Sequence, residues 1–184
     1  MTVDFPNKHF LINGEWVCSN TEIDLINPST GDVIAQVSEA NDEHVNDAVG
    51  VAKDTLENTW KNITARERST LLSTLGRLIE ENYDVLASLE ATDVGKPLRQ
   101  AQADVKALAR YMEFYAGAAD KLHGDTIPYL EDYTVYTLRE PHGVCAHIIP
   151  WNYPMQIIGR SVGAALATGN TCICLLYTSD AADE

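Results

Sequence analysis

The chain has 184 residues, with 13 lysines and arginines against 27 aspartates and glutamates, which gives a formal charge of −14 at neutral pH. Such an acidic chain repels nucleic-acid phosphates and anionic lipid surfaces, so nucleic acid is not expected as a partner. The apolar stretches are shorter than the roughly 20 residues that cross a bilayer, and the N-terminus shows no secretory or transit pattern. We therefore expect a cytoplasmic protein with no membrane partner.

The cysteines and histidines do not suggest a metal centre. The four cysteines show no paired C-x-x-C spacing, and the five histidines are not placed like metal ligands. Since a chain of this length can bury a core without disulfides, the cysteines are expected to be reduced thiols.

The first part of the chain, residues 1–40, is predicted to form two β-hairpins. In the first, short apolar segments flank Asn13-Gly14, a pair that favours a type I′ turn. In the second, a cluster of turn-forming residues at 27–32 separates two further apolar segments.

Residues 41–124 show helical periodicity and are predicted to form a helical layer. Either Asn41 or Asp42 can cap the first helix. Thr64 and Glu67 fit a capping box at the start of the second helix, because each side chain can satisfy a free backbone amide of the other.

Two further helices are predicted beyond this point. The second helix carries an apolar stripe formed by Leu71, Leu72, Leu75, Leu78 and Ile79. The next segment ends at Gly95, with Pro97 just beyond it, as is common after a helix. A fourth helix is predicted from residue 98 to about 122, where apolar residues recur in steps of three and four.

Strand patterns return after Gly124. Residues 133–139 alternate apolar and polar side chains, which predicts a strand within region 125–143. Region 144–174 predicts strand, helix and strand, with the last apolar stretch running to Leu176. This βαβ unit indicates an α/β fold in which a parallel sheet begins.

The loop after the first of these strands carries the residue of greatest chemical interest. Ligands of open α/β sheets bind beyond the carboxyl ends of the strands. Asn152 lies there, between two prolines that stiffen the loop, and its carboxamide could stabilise an oxyanion. Asparagine is also common at the start of a helix, and position alone favours a capping role.

Several segments, in this order and spacing, resemble the aldehyde dehydrogenase superfamily. They are the segments 10–16, 27–31, 95–97, 148–154 and 165–170, with sequences FLINGEW, NPSTG, GKP, IIPWNYP and ALATGN. The resemblance implies the truncated N-terminal part of a three-layer, Rossmann-like fold, made of β-hairpins, a helical layer and the first βαβ unit of the cofactor domain. The resemblance also makes the oxyanion role of Asn152 the favoured one, although the same residue could also cap the helix.

The resemblance implies oxidation of an aldehyde with NAD or NADP through a cysteine thioester. A cysteine thiolate attacks the carbonyl, an asparagine holds the oxyanion, and a glutamate activates water. By this match Asn152 is the catalytic asparagine. The residues implied to line the cofactor cleft are Ile148, Ile149, Pro150, Trp151 and Asn152.

The following helix is implied to face the aldehyde. Tyr153, Ile157 and Arg160 are spaced to share one face, so the arginine could pair with a carboxylate on the substrate. The competing interpretation, which sequence alone favours, is an ion pair between Arg160 and another helix.

The nucleophile and the base glutamate of the family belong to later segments, so this chain is expected to be inactive. Cysteines inside the predicted strands are expected to behave as small apolar residues. The match is lost at Leu175, where the family has a lysine, and we hypothesise that 175–184 is an unmatched, foreign or frame-shifted tail.

The resemblance also implies a homo-oligomer for the full-length protein, joined through an arm that includes region 125–143. Two alternatives remain open. The chain could be a non-catalytic product that binds full-length subunits and modulates them, or part of a CoA-acylating semialdehyde dehydrogenase in which thiolysis replaces hydrolysis.

Overall fold

The computed structural model describes residues 9–177. Most of the predicted tail, 178–184, lies outside this range. The strands are β1 (Phe10–Ile12), β2 (Glu15–Val17), β3 (Glu22–Ile26), β4 (Val33–Ser38), β5 (Thr126–Ile127), β6 (Val135–Tyr136), β7 (Val144–Pro150) and β8 (Thr171–Tyr177). The helices are α1 (Asp42–Asn58), α2 (Ala65–Glu81), α3 (Tyr83–Val94), α4 (Leu98–Ala118) and α5 (Pro154–Ala167), with a 3₁₀ turn at Trp60–Asn62.

Two antiparallel hairpins open the described chain. β1 pairs with β2, and β3 pairs with β4. The turn of the first hairpin has positive φ at both central residues, 54° at Asn13 and 78° at Gly14. This is the type I′ geometry that matches the twist of the flanking strands, so the turn prediction is confirmed.

Reciprocal side-chain bonds start the first two helices. Asn41 caps α1, and the ring of His44 bonds back to the Asn41 N–H. At α2, Thr64 Oγ1 accepts from the Glu67 N–H at 3.2 Å, and Glu67 accepts from the Thr64 N–H at 2.8 Å. The predicted capping box is therefore present.

The helical layer packs around α4, which contacts α2, α3 and α5. Only part of the predicted stripe on α2 reaches this core. Leu72 and Ile79 are buried, and Gly76 lies between them, where an added Cβ would come within 3.3 Å of the α4 backbone at Ala109. The other three members, Leu71, Leu75 and Leu78, are exposed, because α4 covers a narrower face of α2 than the stripe occupies.

Region 125–143 contains less strand than predicted. β6 covers two residues of the predicted 133–139, and it pairs antiparallel with β5. The apolar side chains of region 125–143 are largely exposed, among them Tyr133, Tyr136 and Leu138. β6 is short because a strand with a single short partner can form few backbone hydrogen bonds.

The βαβ unit is formed as predicted. β7 and β8 are parallel, with Val144 opposite Thr171, and α5 connects them. α1 contacts both strands, and α5 packs between the sheet and α4. β8 continues through Leu175 to Tyr177, past the boundary at residue 174 that the resemblance implied. Within 9–177, no helix has the length and apolar character needed to span a bilayer.

Candidate oxyanion site at the end of strand β7

The candidate site is the short loop between β7 and α5. Trp151, Asn152 and Tyr153 occupy it, directly beyond the carboxyl end of β7. Because β8 is parallel to β7, its carboxyl end points to the same edge of the sheet. Loops at this edge are where open α/β sheets bind ligands.

Asn152 is exposed, and its side chain has no hydrogen-bond partner among residues 9–177. The capping interpretation of this residue is wrong. The residue at the N-cap of α5 is Tyr153, with no side-chain capping bond, and Pro154 occupies the first turn. Proline is favoured there because its missing N–H needs no acceptor. The carboxamide of Asn152 is therefore available to a ligand.

Tyr153 is held firmly on both its ring and its hydroxyl. Lys96 Nζ lies 4.4 Å from the centroid of the ring. Gln100 Nε2 donates to the Tyr153 hydroxyl at 2.5 Å. Both partners lie near the start of α4, so the loop is tied to the helical layer rather than to the sheet.

A buried ionic cluster lies beneath this contact. Lys96 Nζ donates to Glu90 Oε1 at 2.6 Å and to Asp104 Oδ2 at 2.8 Å, and all three side chains are less than one-tenth exposed. Gln156 Nε2, in the first turns of α5, donates to Asp104 Oδ1 at 2.6 Å. One end of the cluster thus reaches the helix that follows the loop.

Burial and pairing compete in this cluster. Burial raises the pKa of Glu90 more than the neighbouring ammonium of Lys96 lowers it. Burial alone would lower the pKa of Lys96, but its hydrogen bonds to Asp104 and Glu90 outweigh burial and raise that pKa. The ammonium is therefore kept charged where it faces the Tyr153 ring.

The residues expected at the cofactor cleft differ in exposure. Ile148 is 69% exposed and Trp151 is 42% exposed, whereas Ile149 is 1% exposed. Pro150 is half-buried and ends β7. A ligand at this edge could contact the side chains of Ile148 and Trp151, but only the backbone of Ile149.

Of the residues expected to face a substrate, Ile157 is half-buried and Arg160 is exposed. Arg160 Nε donates to the carbonyl of Gln156, in its own helix, at 3.4 Å. It forms no ion pair with any residue in 9–177, so the interhelix ion pair that sequence alone favoured is not formed among these residues.

Two cysteines of β8, Cys172 and Cys174, have weakly nucleophilic thiols. Burial, with smaller contributions from Cys145 and Cys174, raises the pKa of Cys172 to about 12. Burial also raises the pKa of Cys174. Since the thiolate is the reactive form, these thiols are poor nucleophiles at neutral pH.

A cavity of about 710 Å³ lies away from the loop, between β1, α1 and β8. Phe10, Val45, Ala48 and Ile173 contribute to its apolar wall. It includes none of the three loop residues, so it is not assigned to the candidate site.

Sequence reasoning identified the loop but missed the ionic cluster. Lys96 belongs to the GKP segment, which contributed only to the resemblance. An available signal was Asp104, a carboxylate that shares a helix face with the buried Ala101 and Leu108. A charge at such a position is rarely buried without a partner.

Comparison with known proteins gives consistent results. The sequence model of the aldehyde dehydrogenase family matches residues 16–176. The mitochondrial aldehyde dehydrogenase family 2 member B4 of Arabidopsis thaliana is 43% identical over 176 residues, which cover 94% of this chain and 33% of the relative. The chain thus spans about a third of the length of such curated relatives.

Solved structures agree with the sequence matches. A putative aldehyde dehydrogenase from Burkholderia cenocepacia superposes with a TM-score of 0.89 at 50% identity, covering 92% of this chain and 36% of that one. An NAD+ complex of an aldehyde dehydrogenase from Bacillus cereus gives 0.87 at 42% identity, covering 89% and 34%. The fold, the position of the loop and these matches together establish that the chain belongs to the aldehyde dehydrogenase family.

Proposed function

We propose that this chain supplies the oxyanion-binding asparagine and part of the cofactor cleft of an NAD- or NADP-dependent aldehyde dehydrogenase. The observation that carries the proposal is the exposed carboxamide of Asn152, which has no partner within residues 9–177 and lies on a loop fixed by its neighbour Tyr153. A rigidly held donor without a partner of its own is suited to stabilise charge that develops during a reaction.

In the proposed reaction, a cysteine thiolate from a segment outside these residues attacks the aldehyde carbon. The carbonyl π electrons move to oxygen, and the Nδ2–H of Asn152 donates to the resulting oxyanion. A nicotinamide held beside Ile148 and Trp151 would supply the acceptor for the hydride that leaves the carbon. Water, activated by a glutamate outside these residues, then hydrolyses the thioester to the carboxylate and restores the thiol.

The residues at the end of β7 fit a nicotinamide cofactor. Ile148 and Trp151 present exposed apolar surface to a planar ring, and Pro150 and the Ile149 backbone complete the edge. The Bacillus cereus relative, which was solved with NAD+, supports NAD as the cofactor. The resemblance to the family allows either NAD or NADP.

A carboxylate-bearing aldehyde is the proposed substrate class. Arg160 is exposed, has no acidic partner within the described chain, and lies two turns along α5 from the loop. In the complete enzyme, Arg160→Leu is expected to raise KM for succinic semialdehyde more than for butanal. Equal changes in the two KM values would contradict this assignment.

Region 125–143 is proposed to join subunits. Apolar side chains on and next to its β5–β6 hairpin are each more than two-fifths exposed, namely Ile127, Tyr129, Leu130, Tyr133, Tyr136 and Leu138. An exposed apolar group of this kind marks an interaction surface. In the complete protein, Tyr133→Asp with Leu138→Asp is expected to shift the oligomer to smaller species in sedimentation velocity, and an unchanged profile would oppose the proposal.

Two cellular compartments are candidates for this protein. The Arabidopsis relative is named as a mitochondrial protein. The cytoplasmic location expected from the sequence stays a prediction, which imaging of the tagged complete protein would test.

The role of Asn152 is tested by substitution in the complete enzyme. Asn152→Ala is expected to lower kcat for propanal by about 10²–10³-fold, the usual effect of removing one oxyanion donor. The readout is the absorbance of the reduced cofactor. Asn46→Ala, on the exposed surface of α1, is the matched control and should keep the original kcat. A kcat for Asn152→Ala equal to that of the control would overturn the proposal.

A further inference from the structure

The loop that carries Asn152 has few attachments of its own. Neither Trp151 nor Asn152 forms a side-chain hydrogen bond or ion pair within residues 9–177. Tyr153 is the loop residue whose side chain is bound, through its ring to Lys96 and through its hydroxyl to Gln100. The position of the Asn152 carboxamide is therefore set through the backbone by Tyr153.

Lys96 is unusual for a lysine because it is buried. Its ammonium is shared between Glu90 and Asp104, and its remaining N–H can point toward the Tyr153 ring. A desolvated ammonium over an aromatic face interacts more strongly than an exposed one. The two carboxylates hold the ammonium in place, so the ring faces a fixed charge rather than a mobile side chain.

The same cluster also reaches the other side of the loop. Asp104 accepts from Lys96 through one oxygen and from Gln156 through the other. Gln156 lies in the first turn of α5, three residues after Tyr153. Lys96 and Asp104 thus fix both the residue that follows Asn152 and the helix that begins there.

We infer that Lys96 is a positioning residue for the oxyanion site, acting through the Tyr153 ring on Asn152. This inference rests on the proposed function of Asn152. A displacement of about 1 Å in a group that aligns a reaction can cost about 10²-fold in rate. Loss of the fixed ammonium is therefore expected to lower kcat more than it weakens cofactor binding, although Trp151 lies on the same loop.

The test is a double-mutant cycle on kcat in the complete enzyme, with propanal as substrate. Lys96→Met is expected to lower kcat about 10- to 100-fold, with a smaller change in KM for NAD. In a Tyr153→Leu background, Lys96→Met should lower kcat by less than about twofold more, because the ring through which it acts is absent. Full additivity of the two effects would overturn the inference.

Two further variants guard against a simple loss of folding. Glu90→Gln with Lys96→Met removes one buried charge of each sign, so the net charge of the cluster is unchanged, and it should show the same kcat loss. Lys106→Met is the matched control, because Lys106 also lies over a tyrosine ring, that of Tyr83 at 5.5 Å, but away from the loop. It should keep the original kcat.

A second readout does not depend on activity. With 5-fluorotryptophan incorporated, the ¹⁹F resonance of Trp151, assigned by its loss in Trp151→Phe, should be single in the original protein and in Lys106→Met. In the Glu90→Gln, Lys96→Met protein it should broaden or split, since the loop is released. A sharp, unshifted resonance there would overturn positioning. A wild-type kcat for Asn152→Ala would instead overturn the proposed function, and the ¹⁹F result would still decide the role of Lys96.

Discussion

Asn170 accepts a hydrogen bond from the backbone N–H of Gly143 at 2.9 Å, which joins the start of β8 to the start of β7. Its amide donates to the Ala165 carbonyl at 3.2 Å and to the Thr168 hydroxyl at 2.7 Å. The side chain is almost completely buried. One carboxamide thus connects the end of the crossover helix to both parallel strands.

Replacing this carboxamide should be costly. In Asn170→Ala the half-buried Gly143 N–H loses its acceptor, and the free energy of unfolding is expected to fall by about 1–3 kcal/mol. Urea unfolding followed by circular dichroism measures the change. Asn152→Ala is the control: that side chain is exposed and unpaired, so its effect should stay within about 0.5 kcal/mol. Similar losses for the two variants would contradict this account of Asn170.

Gly95 ends α3 in a conformation that few other residues adopt. Its φ is 73°, and an added Cβ would lie 2.5 Å from Cγ of Pro28, in the turn between β3 and β4. Gly95→Ala is expected to lower the free energy of unfolding by about 1–3 kcal/mol, since backbone strain alone reaches that range.

A second glycine provides the opposite case. Gly50 lies within α1, is exposed, and has no heavy atom within 4 Å of an added Cβ. Gly50→Ala should therefore raise the free energy of unfolding by about 0.5–1 kcal/mol, because alanine loses less backbone entropy in a helix. Thermal unfolding of the two variants side by side checks whether Gly95→Ala lowers the stability and Gly50→Ala raises it. An increase in stability for Gly95→Ala would refute the steric argument.

Features that depend on neighbouring residues in the sequence could be predicted. The type I′ turn at Asn13, the capping box of Thr64 and the end of α3 at Gly95 each follow from the chemistry of a few adjacent residues. The βαβ unit was also predictable, because its apolar runs are long and its turns are clear.

Features that depend on distant partners could not be predicted. Leu75 lies on an apolar stripe, but its exposure depends on where α4 crosses α2. The Lys96 cluster joins residues from α3, the following turn and α4, so no local spacing indicates it. Asn152 is in a position typical of an N-cap residue. In the structure α5 begins at Pro154, so the N-cap residue is Tyr153.

Cys172 should resist alkylation in the folded protein. Burial, with smaller contributions from Cys145 and Cys174, raises its thiol pKa to about 12. At about pH 8 almost no thiolate is present, so iodoacetamide should label the exposed Cys18 first and Cys172 only after unfolding. Mass spectrometry of peptides over time measures the order. Labelling of both at one rate in the folded chain would refute it.

The same shift in the pKa of Cys172 should make the folded protein less stable as the pH becomes alkaline. The unfolded thiol ionises near 9.0, whereas the folded thiol keeps its proton until about 12. The contribution of Cys172 to the free energy of unfolding is thus complete below pH 9.0 and is lost as the pH rises toward 12. Between roughly pH 8 and pH 10.5 the free energy of unfolding should fall less steeply in Cys172→Val than in Cys18→Val. The reason is that Cys172→Val has no thiol at this position that could lose a proton when the chain unfolds.

Arg68 joins the start of α2 to the end of α5 through two partly buried hydrogen bonds. Its Nε donates to the Ala167 carbonyl at 3.1 Å, and its Nη1 donates to the Ile63 carbonyl at 2.7 Å. Burial lowers the pKa of this guanidinium, which nevertheless remains charged because arginine ionises far above neutral pH. A planar fork can serve two carbonyls that point in different directions, and a single ammonium cannot.

Arg68→Lys should therefore keep the charge and still lose stability. One carbonyl is left without its donor, and we expect the free energy of unfolding to fall by about 1–3 kcal/mol. Arg66→Lys, two residues away on the exposed face of α2, is the matched control and should change it by less than about 0.5 kcal/mol. Chemical unfolding of the three proteins distinguishes geometry from charge. If Arg68→Lys matched its control, charge alone would explain the contact between α2 and α5.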